Sequence, residues 1–148
     1  MKLLSVLYWG ALSCVIAVPL AAESPKIDGT WTVQGNTEGD GATAWVFHED
    51  GDSLKVTRMK GTETLTAFVC NTMGRECELK DSGKKGTVSL WYNGPKLVEM
   101  EVRGNEIVKR RFALSDQDGL DVEVIRISPS SKTETIHLKR TQTSAKNQ

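Results

Sequence analysis

The sequence has no excess of charge of either sign. Its 148 residues carry 19 basic and 19 acidic side chains. Loss of residues 1–22 would remove only Lys2 among them, leaving 18 basic against 19 acidic groups, a balance of −1. Proteins that bind nucleic acid or anionic membranes through charge usually carry a basic block or a strongly basic face. We therefore predict no nucleic-acid partner and no basic membrane-binding surface.

Histidine is scarce, and no catalytic set of side chains is visible. The two histidines, His48 and His137, are predicted to point outward from separate strands, which disfavours a metal site or an acid–base pair. There is no Gly-x-Ser-x-Gly elbow and no nucleophile–base set. The acidic stretches 49–52 and 116–119 lack the terminal Glu of a calcium loop and are typical of hairpin turns. An enzyme is the class we favour least, and we predict no catalytic residue, metal or cofactor.

The first 22 residues form an apolar run with one lysine and a small-residue exit at Ala21-Ala22. This layout is typical of a secretory signal peptide. Leu20 is an imperfect residue at the −3 position, so cleavage at another bond stays open. A lipid anchor would use Cys14, but the apolar run continues past it, which disfavours that alternative. We expect a secreted or periplasmic protein with no membrane span after cleavage.

Only two cysteines lie beyond the predicted signal peptide, Cys70 and Cys77. An even number of cysteines in an exported chain favours a disulfide. The six residues between them make a hairpin-sized loop, and the absence of nearby histidines disfavours a metal or redox pair. We predict a Cys70–Cys77 disulfide.

Turn signals separate short runs of β-forming residues along most of the chain. The stretch 86–114 contains three such runs, joined at Asn93-Gly94-Pro95 and Arg103-Gly104-Asn105. Consecutive hairpins with short turns favour an antiparallel up-and-down meander, and about eight or nine strands can close on themselves and remove their edges. We predict an all-β barrel over 23–140, followed by a flexible polar tail over 141–148.

Facing residues of an antiparallel pair point to the same side, so each turn length predicts a register. Three-residue loops at 93–95 and 103–105 give each strand one apolar face, whereas a two-residue turn at Asn93-Gly94 would mix the faces. Loops at 115–119 and 128–132 and two-residue turns at Asp50-Gly51 and Lys60-Gly61 extend the scheme. The predicted pairs include Leu90–Val98, Val88–Met100, Glu99–Lys109, Phe112–Val122, Leu114–Leu120, Arg111–Glu123, Val122–Leu138, Glu123–His137, Phe47–Leu54, Trp45–Val56, Val56–Leu65 and Arg58–Glu63.

Arg110 is the anomaly of the predicted inner face, because a buried guanidinium needs a compensating charge. Glu63, Glu134 or the anionic group of a ligand are the candidates, and a β-bulge that turns Arg110 outward is a further alternative. If a ligand compensates Arg110, the interior binds a small apolar or amphipathic anion. The predicted ligand-binding residues are Arg110, Trp45, Phe47, Tyr92, Met100 and Phe112, with Val56 and Val98 also lining the interior.

The alternative function is a ligand-free structural or protein-interaction component of the cell envelope. Apolar residues on the predicted outer face can form a contact surface: Trp91, Leu97, Ile107, Ile125 and Ile127. An interior cavity larger than about 300 Å³ would favour ligand binding. A filled interior would favour the interaction protein, whose partner the sequence does not identify.

The segment Asp28-Gly29-Thr30-Trp31 resembles the Gly-x-Trp motif on the first strand of lipocalins and their calycin relatives. The resemblance implies a lipocalin-like barrel in which a basic residue of a late strand packs over the tryptophan, here Arg140 over Trp31. The mature chain is also similar to small exported bacterial proteins with such a barrel, most of them of unassigned function. A second lipocalin loop motif and the usual C-terminal helix are not recognisable in the sequence.

Overall fold

The structure is a computed structural model that describes residues 26–35, 41–81, 85–115 and 118–141. The predicted signal peptide, with Cys14, and residues 142–148 of the predicted tail lie outside the described residues. The described chain forms ten strands: β1 (Gly29–Val33), β2 (Ala44–Asp50), β3 (Ser53–Lys60), β4 (Glu63–Asn71), β5 (Met73–Leu79), β6 (Gly86–Asn93), β7 (Lys96–Arg103), β8 (Glu106–Leu114), β9 (Gly119–Ser128) and β10 (Glu134–Arg140).

The strands form one antiparallel meander that closes almost completely into a barrel. Strands that follow each other in sequence pair, and β1 also pairs with β10. The exception is β4 and β5, which stand at the two edges of the sheet order; the gap between them is called the seam below. The predicted all-β up-and-down barrel is confirmed. It has ten strands because β5 is a full strand rather than a short return at 77–79.

The turns at 94–95 and 104–105 contain two residues, with glycine first. Asn93 already pairs with Lys96, and the next hairpin has the same form. Gly94 and Gly104 have φ angles of 59° and 60°, and no other residue type among those described has a positive φ. A turn with positive φ only at its first position is of type II′, which accepts Pro95 as its second residue. The predicted three-residue loops at 93–95 and 103–105 are therefore wrong.

This turn geometry moves β7 by one residue relative to the predicted pairing. Leu90 faces Glu99, where Val98 was expected. A one-residue shift turns every side chain to the other face of its strand. The inward side chains of β7 are consequently Leu97, Glu99 and Glu101, and its outward side chains are Val98, Met100 and Val102.

Other registers differ less. The β8–β9 register is confirmed, since Phe112 faces Val122. The β2–β3 and β9–β10 registers are displaced by two residues, so partners change while the faces stay as predicted. Phe47 faces Val56, and Val122 faces Ile136.

The face that β4 turns inward differs from the prediction because of a β-bulge. The register between β3 and β4 shifts between Arg58 and Met59, and Val56 faces Phe68 instead of Leu65. A bulge places an extra residue in one strand and so inverts the alternation beyond it. The buried side chains of β4 are therefore Thr66, Phe68 and Cys70, whereas Ala67 is exposed.

The Gly-x-Trp segment closes the barrel at the junction of β1 and β10. The Arg140 guanidinium carbon lies 4.2 Å from the Trp31 ring centroid, which confirms the contact implied by the lipocalin resemblance. The Trp31 indole Nε1 donates to the Ile27 carbonyl at 2.8 Å. Gly29 has a φ angle of 125°, which residues with a side chain rarely adopt, and its Cα faces the Arg140 guanidinium, so this position favours glycine. The motif thus fixes the arginine, the tryptophan and the chain before β1 together.

Candidate functional site

Three predicted ligand-binding residues pack against one another inside the barrel. The Trp45 ring centroid lies 5.2 Å from that of Phe112 and 6.1 Å from that of Phe47, and the Phe47 and Phe112 centroids are 5.3 Å apart. Aromatic pairs at these separations attract each other beyond the effect of burial. All three are at most 1 % exposed. They are interior residues as predicted, but what they contact is each other.

Tyr92, a fourth predicted ligand-binding residue, lies near the end of β6 and is half-buried. Its hydroxyl donates to Glu49 Oε1 at 3.3 Å. Burial raises the pKa of Tyr92 to about 12, with a further contribution from the Glu49 charge and hydrogen bond. The phenol therefore stays protonated at neutral pH and acts as a hydrogen-bond donor across the end of the barrel.

The predicted interior position of Met100 is wrong, as is that of Val98. Both lie on the outer face of β7, because the two-residue turn at 94–95 shifts the strand by one position. Val98 is nonetheless only 1 % exposed, since it lies between Trp91 of β6 and Arg111 of β8. Neither side chain lines the interior.

Arg110 points into the barrel as predicted and is 2 % exposed. Its Nη1 donates to Glu99 Oε1 at 2.7 Å and to Glu101 Oε2 at 2.8 Å. The sequence prediction named Glu63 or Glu134 instead, but Glu63 is exposed at the start of β4 and Glu134 faces Val124. The sequence missed Glu99 and Glu101 because the predicted register turned them outward. Glu99 and Glu101 are two residues apart, so they lie on the same face of β7, next to Arg110 on β8. This spacing is the sequence signal that could have identified them as its partners.

Glu101 is the centre of a buried ionic cluster. Its Oε2 also accepts from Arg58 Nη2 at 2.8 Å, and Arg58 donates further to the Thr66 hydroxyl at 3.2 Å. Burial alone would raise the pKa of Glu101, but the Arg58 and Arg110 charges, with hydrogen bonds from Arg103 and Arg110, outweigh burial and hold the pKa below its usual value. The predicted pairing of Arg58 with Glu63 is therefore replaced by a partner 43 residues away in sequence.

Arg103 connects this cluster to the chain after β5. Its Nε donates to Glu101 Oε1, and its two terminal nitrogens donate to the Asp81 carboxylate. The hydrogen bond to Asp81 is the largest cause of a raised Arg103 pKa. Bidentate pairing of this kind fixes direction as well as charge, so the segment at Asp81 is held against β7.

The predicted Cys70–Cys77 disulfide is present, and it crosses the seam. The S–S distance is 2.09 Å and the Cα atoms are 5.7 Å apart. It joins the two strands that no ladder of hydrogen bonds connects within the described sheet. The bridge therefore holds the two edges of the barrel together at the end of the seam near residue 72.

A groove of about 560 Å³ runs along this seam. Its lining residues are Lys55, Ala67, Phe68, Val69, Cys77, Glu78 and Lys80. Val69 is 60 % exposed although it is apolar. One neighbouring groove shares Lys55 with the seam groove, and another shares Glu78 and Lys80 with it. None of these three grooves is lined by Trp45, Arg110 or Phe112.

The outer face of β5–β9 carries an apolar patch. Met73 is 70 % exposed and Ile127 is 45 % exposed. Leu97, predicted to belong to this face, is instead inside the barrel. The outer apolar patch consists of Met73, Trp91, Met100, Val102, Ile107, Ile125 and Ile127.

The two histidines are on the surface, as predicted. His137 Nδ1 lies 2.7 Å from Asp121 Oδ1, where Glu123 was the predicted neighbour, and His48 Nδ1 lies 3.6 Å from Asp28 Oδ1. Across the ranges that the structure describes, no three His, Cys, Asp or Glu side chains are grouped to hold a metal ion. The same residues include no helix long and apolar enough to cross a membrane.

Comparison with known proteins identifies the fold. No protein-family model and no curated protein sequence matches the chain. A fatty acid binding protein of Schistosoma mansoni, in complex with arachidonic acid, superposes with a TM-score of 0.65 and 17 % identity over 82 % of this chain and 100 % of that one. A secretory abundant heat soluble protein of Ramazzottius varieornatus superposes with a TM-score of 0.63 and 11 % identity, over 78 % of this chain and 95 % of that one. The REP1-NXSQ fatty acid transporter superposes with a TM-score of 0.60 and 16 % identity, over 78 % of this chain and 96 % of that one. The chain has the lipocalin-like barrel fold of calycins.

Proposed function

We propose that this protein is an exported binding module that holds a small amphipathic anion in the seam groove. The observation that carries the proposal is the composition of that groove, which is lined by apolar Ala67, Phe68 and Val69 together with Lys55 and Lys80. Its volume of about 560 Å³ falls within the range of about 300–1,000 Å³ typical of small-ligand sites.

The charge balance favours an anion in this groove over an anion in the interior. Two lysines and one glutamate, Glu78, line the groove. In the interior, by contrast, Arg110 already has two carboxylate partners within 2.8 Å. A ligand anion there would have to displace one of them and leave a buried carboxylate without its partner, which is strongly unfavourable.

A medium-chain fatty acid is the first ligand to test. Its alkyl chain would cover exposed Val69 and gain about 0.8 kcal/mol for each methylene removed from water, while its carboxylate would pair with Lys55 or Lys80. Two proteins of similar fold are named for fatty acids, a fatty acid binding protein and a fatty acid transporter. That similarity supports the choice of ligand and is independent of the groove's chemistry.

The test is calorimetric titration of decanoate into the wild-type protein and into a Lys55→Gln/Val69→Ser variant. Both positions are exposed, so the variant keeps the fold. We expect wild type to bind and the variant to bind at least about tenfold more weakly, since a charged hydrogen bond contributes about 1.5–3 kcal/mol. Lys96→Gln, an exposed lysine at the start of β7, is the matched control and should bind like wild type. Absence of binding by wild type, or equal binding by wild type and the double variant, contradicts the proposal.

A second candidate function is protein interaction through the outer apolar patch. The observation in its favour is the exposure of Met73 and Ile127 on a face that also carries charged pairs such as Arg111–Glu123. Sedimentation of wild type and a Met73→Ser/Ile127→Ser variant tests self-association. A monomeric wild type that binds decanoate would leave the small-ligand function ahead.

Export is part of the proposal, and its support is local. The sequence before residue 23 is typical of a signal peptide, and a disulfide such as Cys70–Cys77 is characteristic of exported proteins. Cell fractionation should find the protein in the periplasm or the medium, shortened by about 22 residues as the signal-peptide layout predicts. Full-length protein in the cytoplasm, with Cys70 and Cys77 as free thiols, would contradict export.

A further inference from the structure

One carboxylate in the barrel interior is surrounded by three guanidinium groups. Glu101 Oε2 lies 2.8 Å from Arg58 Nη2 and 2.8 Å from Arg110 Nη1, and Glu101 Oε1 accepts from Arg103 Nε. The three arginines belong to β3, β8 and β7, so strands distant in sequence converge on a single anion. This arrangement is that of an anion receptor, with the anion supplied by the chain itself.

The arginines are held in place by more than Glu101. The guanidinium carbons of Arg58 and Arg110 lie 5.4 and 5.7 Å from the Trp45 ring centroid. Arg110 also pairs with Glu99, and Arg103 pairs with Asp81. The three cations would therefore keep most of their contacts if the Glu101 carboxylate were absent.

The charges of the cluster balance only when Glu101 is counted. Arg58, Arg103 and Arg110 contribute three positive charges; Glu99, Glu101 and Asp81 contribute three negative charges. The side chains of Arg58, Arg110 and Glu101 are each less than 10 % exposed. Removal of Glu101 leaves one uncompensated positive charge in an enclosed space, and the low polarity there strengthens its attraction for an anion.

We propose that Arg58, Arg103 and Arg110 form a carboxylate-binding site that the chain occupies with its own Glu101. While Glu101 is in place, the interior is closed to carboxylates from solution. When its carboxylate is removed, the site takes a small carboxylate from solution instead. This site is separate from the seam groove and does not depend on the function proposed for that groove.

The test uses Glu101→Ala and sodium acetate. The substitution removes a methylene and a carboxylate, and acetate supplies that fragment in free form. At pH 7, acetate should raise the melting temperature of Glu101→Ala along a saturating curve, by about 5 °C or more above an equal concentration of sodium chloride, because a ligand that binds only the folded state stabilises it. Wild type should respond equally to both salts. Pivalate, which is too bulky for the space, should act on the variant like chloride.

Glu123→Ala is the matched control. Glu123 pairs with Arg111 at 2.7 Å, but about a third of each side chain is exposed, so water compensates the remaining charge and acetate should have no specific effect. If Glu101→Ala does not fold in dilute buffer, it is refolded from urea in 0.5 M acetate and in 0.5 M chloride, and recovery in acetate alone supports the proposal. The proposal is overturned if acetate and chloride act alike on Glu101→Ala, in melting or in refolding, or if Glu123→Ala responds as strongly. Neither result bears on decanoate binding at Lys55, so the two proposals fail independently.

Discussion

The interior of the barrel has two halves that are both buried but differently stabilised. Toward the turns at 51–52 and 94–95 it is apolar, around Phe112 and Val122; toward those at 61–62 and 104–105 it is ionic, around Glu101 and Arg110. Trp45 lies between the halves, 5.2 Å from Phe112 by ring centroids and 5.7 Å from the Arg110 guanidinium carbon. Apolar contacts are non-directional and tolerate exchange for similar shapes. The ionic half is stable only while every charge has its partner.

The largest effect expected from this comparison follows from placing a charge in the apolar half. Val122 is fully buried between Phe112 and Ile136. Val122→Asp adds a carboxylate there with no cation opposite, and we expect the domain to unfold. Circular dichroism at 25 °C checks this, with Val122→Ile as the control. A folded Val122→Asp would mean that an arginine of the ionic half reaches across, and the two halves would not be distinct.

The second prediction breaks the ionic half. Arg110→Met keeps the bulk of the side chain but leaves Glu99 and Glu101 short of a partner, and we expect a loss of about 3–5 kcal/mol in the free energy of unfolding. Urea denaturation measures the loss. Adding Glu99→Leu removes one stranded carboxylate and should recover most of the stability. A double variant no better than Arg110→Met alone would show that Arg110 acts through packing rather than charge.

The third prediction concerns acid. The pKa of folded Glu101 is lowered from 4.5, so its pairing stabilises the protein above about pH 4.5, and that stability is lost as the pH falls below this value toward the folded-state pKa. Melting temperatures between pH 3 and pH 7 should therefore fall at the acid end. Glu101→Gln should have a lower melting temperature at neutral pH, and its melting temperature should fall less steeply with acid. Phe112→Leu should have a lower melting temperature at every pH, with the same slope as wild type. Parallel curves for Glu101→Gln and wild type would contradict the assignment.

The smallest effect is expected at a pair with the same chemistry but on the surface. Glu123 and Arg111 are 2.7 Å apart, as close as the buried pairs, with about a third of each side chain in water. Solvent screens such pairs, and Glu123→Ala should change the free energy of unfolding by less than about 1 kcal/mol. A loss as large as that of Arg110→Met, measured in the same urea series, would mean that burial does not explain the difference between the pairs.

The prediction for β7 failed at one physical step, the position of glycine in the turns. The Asn93-Gly94 signal suggested glycine at the second turn position or within a longer loop. In the structure Gly94 comes first and Asn93 joins the strand. A register with one apolar face per strand treats Glu99 as a surface residue, and that register is wrong. No local pattern in the sequence shows that Arg110 on the next strand compensates this carboxylate.

Some predicted ligand-binding residues lie in the interior and Met100 does not, and strand register explains both outcomes. Trp45 and Phe47 are interior residues because the β2–β3 register is displaced by two residues, which keeps the predicted face of β2. Phe112 and Arg110 are interior residues because the β8–β9 register is the predicted one. Met100 is not an interior residue, because β7 is displaced by one residue, and an odd displacement reverses the faces of a strand. The groove residue Lys55 gave no sequence signal, since an exposed lysine on a strand is ordinary.

By itself the sequence determined the all-β meander, the approximate turns, the Cys70–Cys77 bridge and the contact of Arg140 with Trp31. These depend on local turn chemistry, alternation of side chains and short separations or a familiar motif. Only the tertiary structure decided which carboxylates enter the barrel and where the seam opens. The bond from Arg58 to Glu101 spans 43 residues, and the free edges of β4 and β5 exist only once all ten strands have taken their order. Long-range pairing of charges is fixed by closure of the sheet, and no local pattern encodes it.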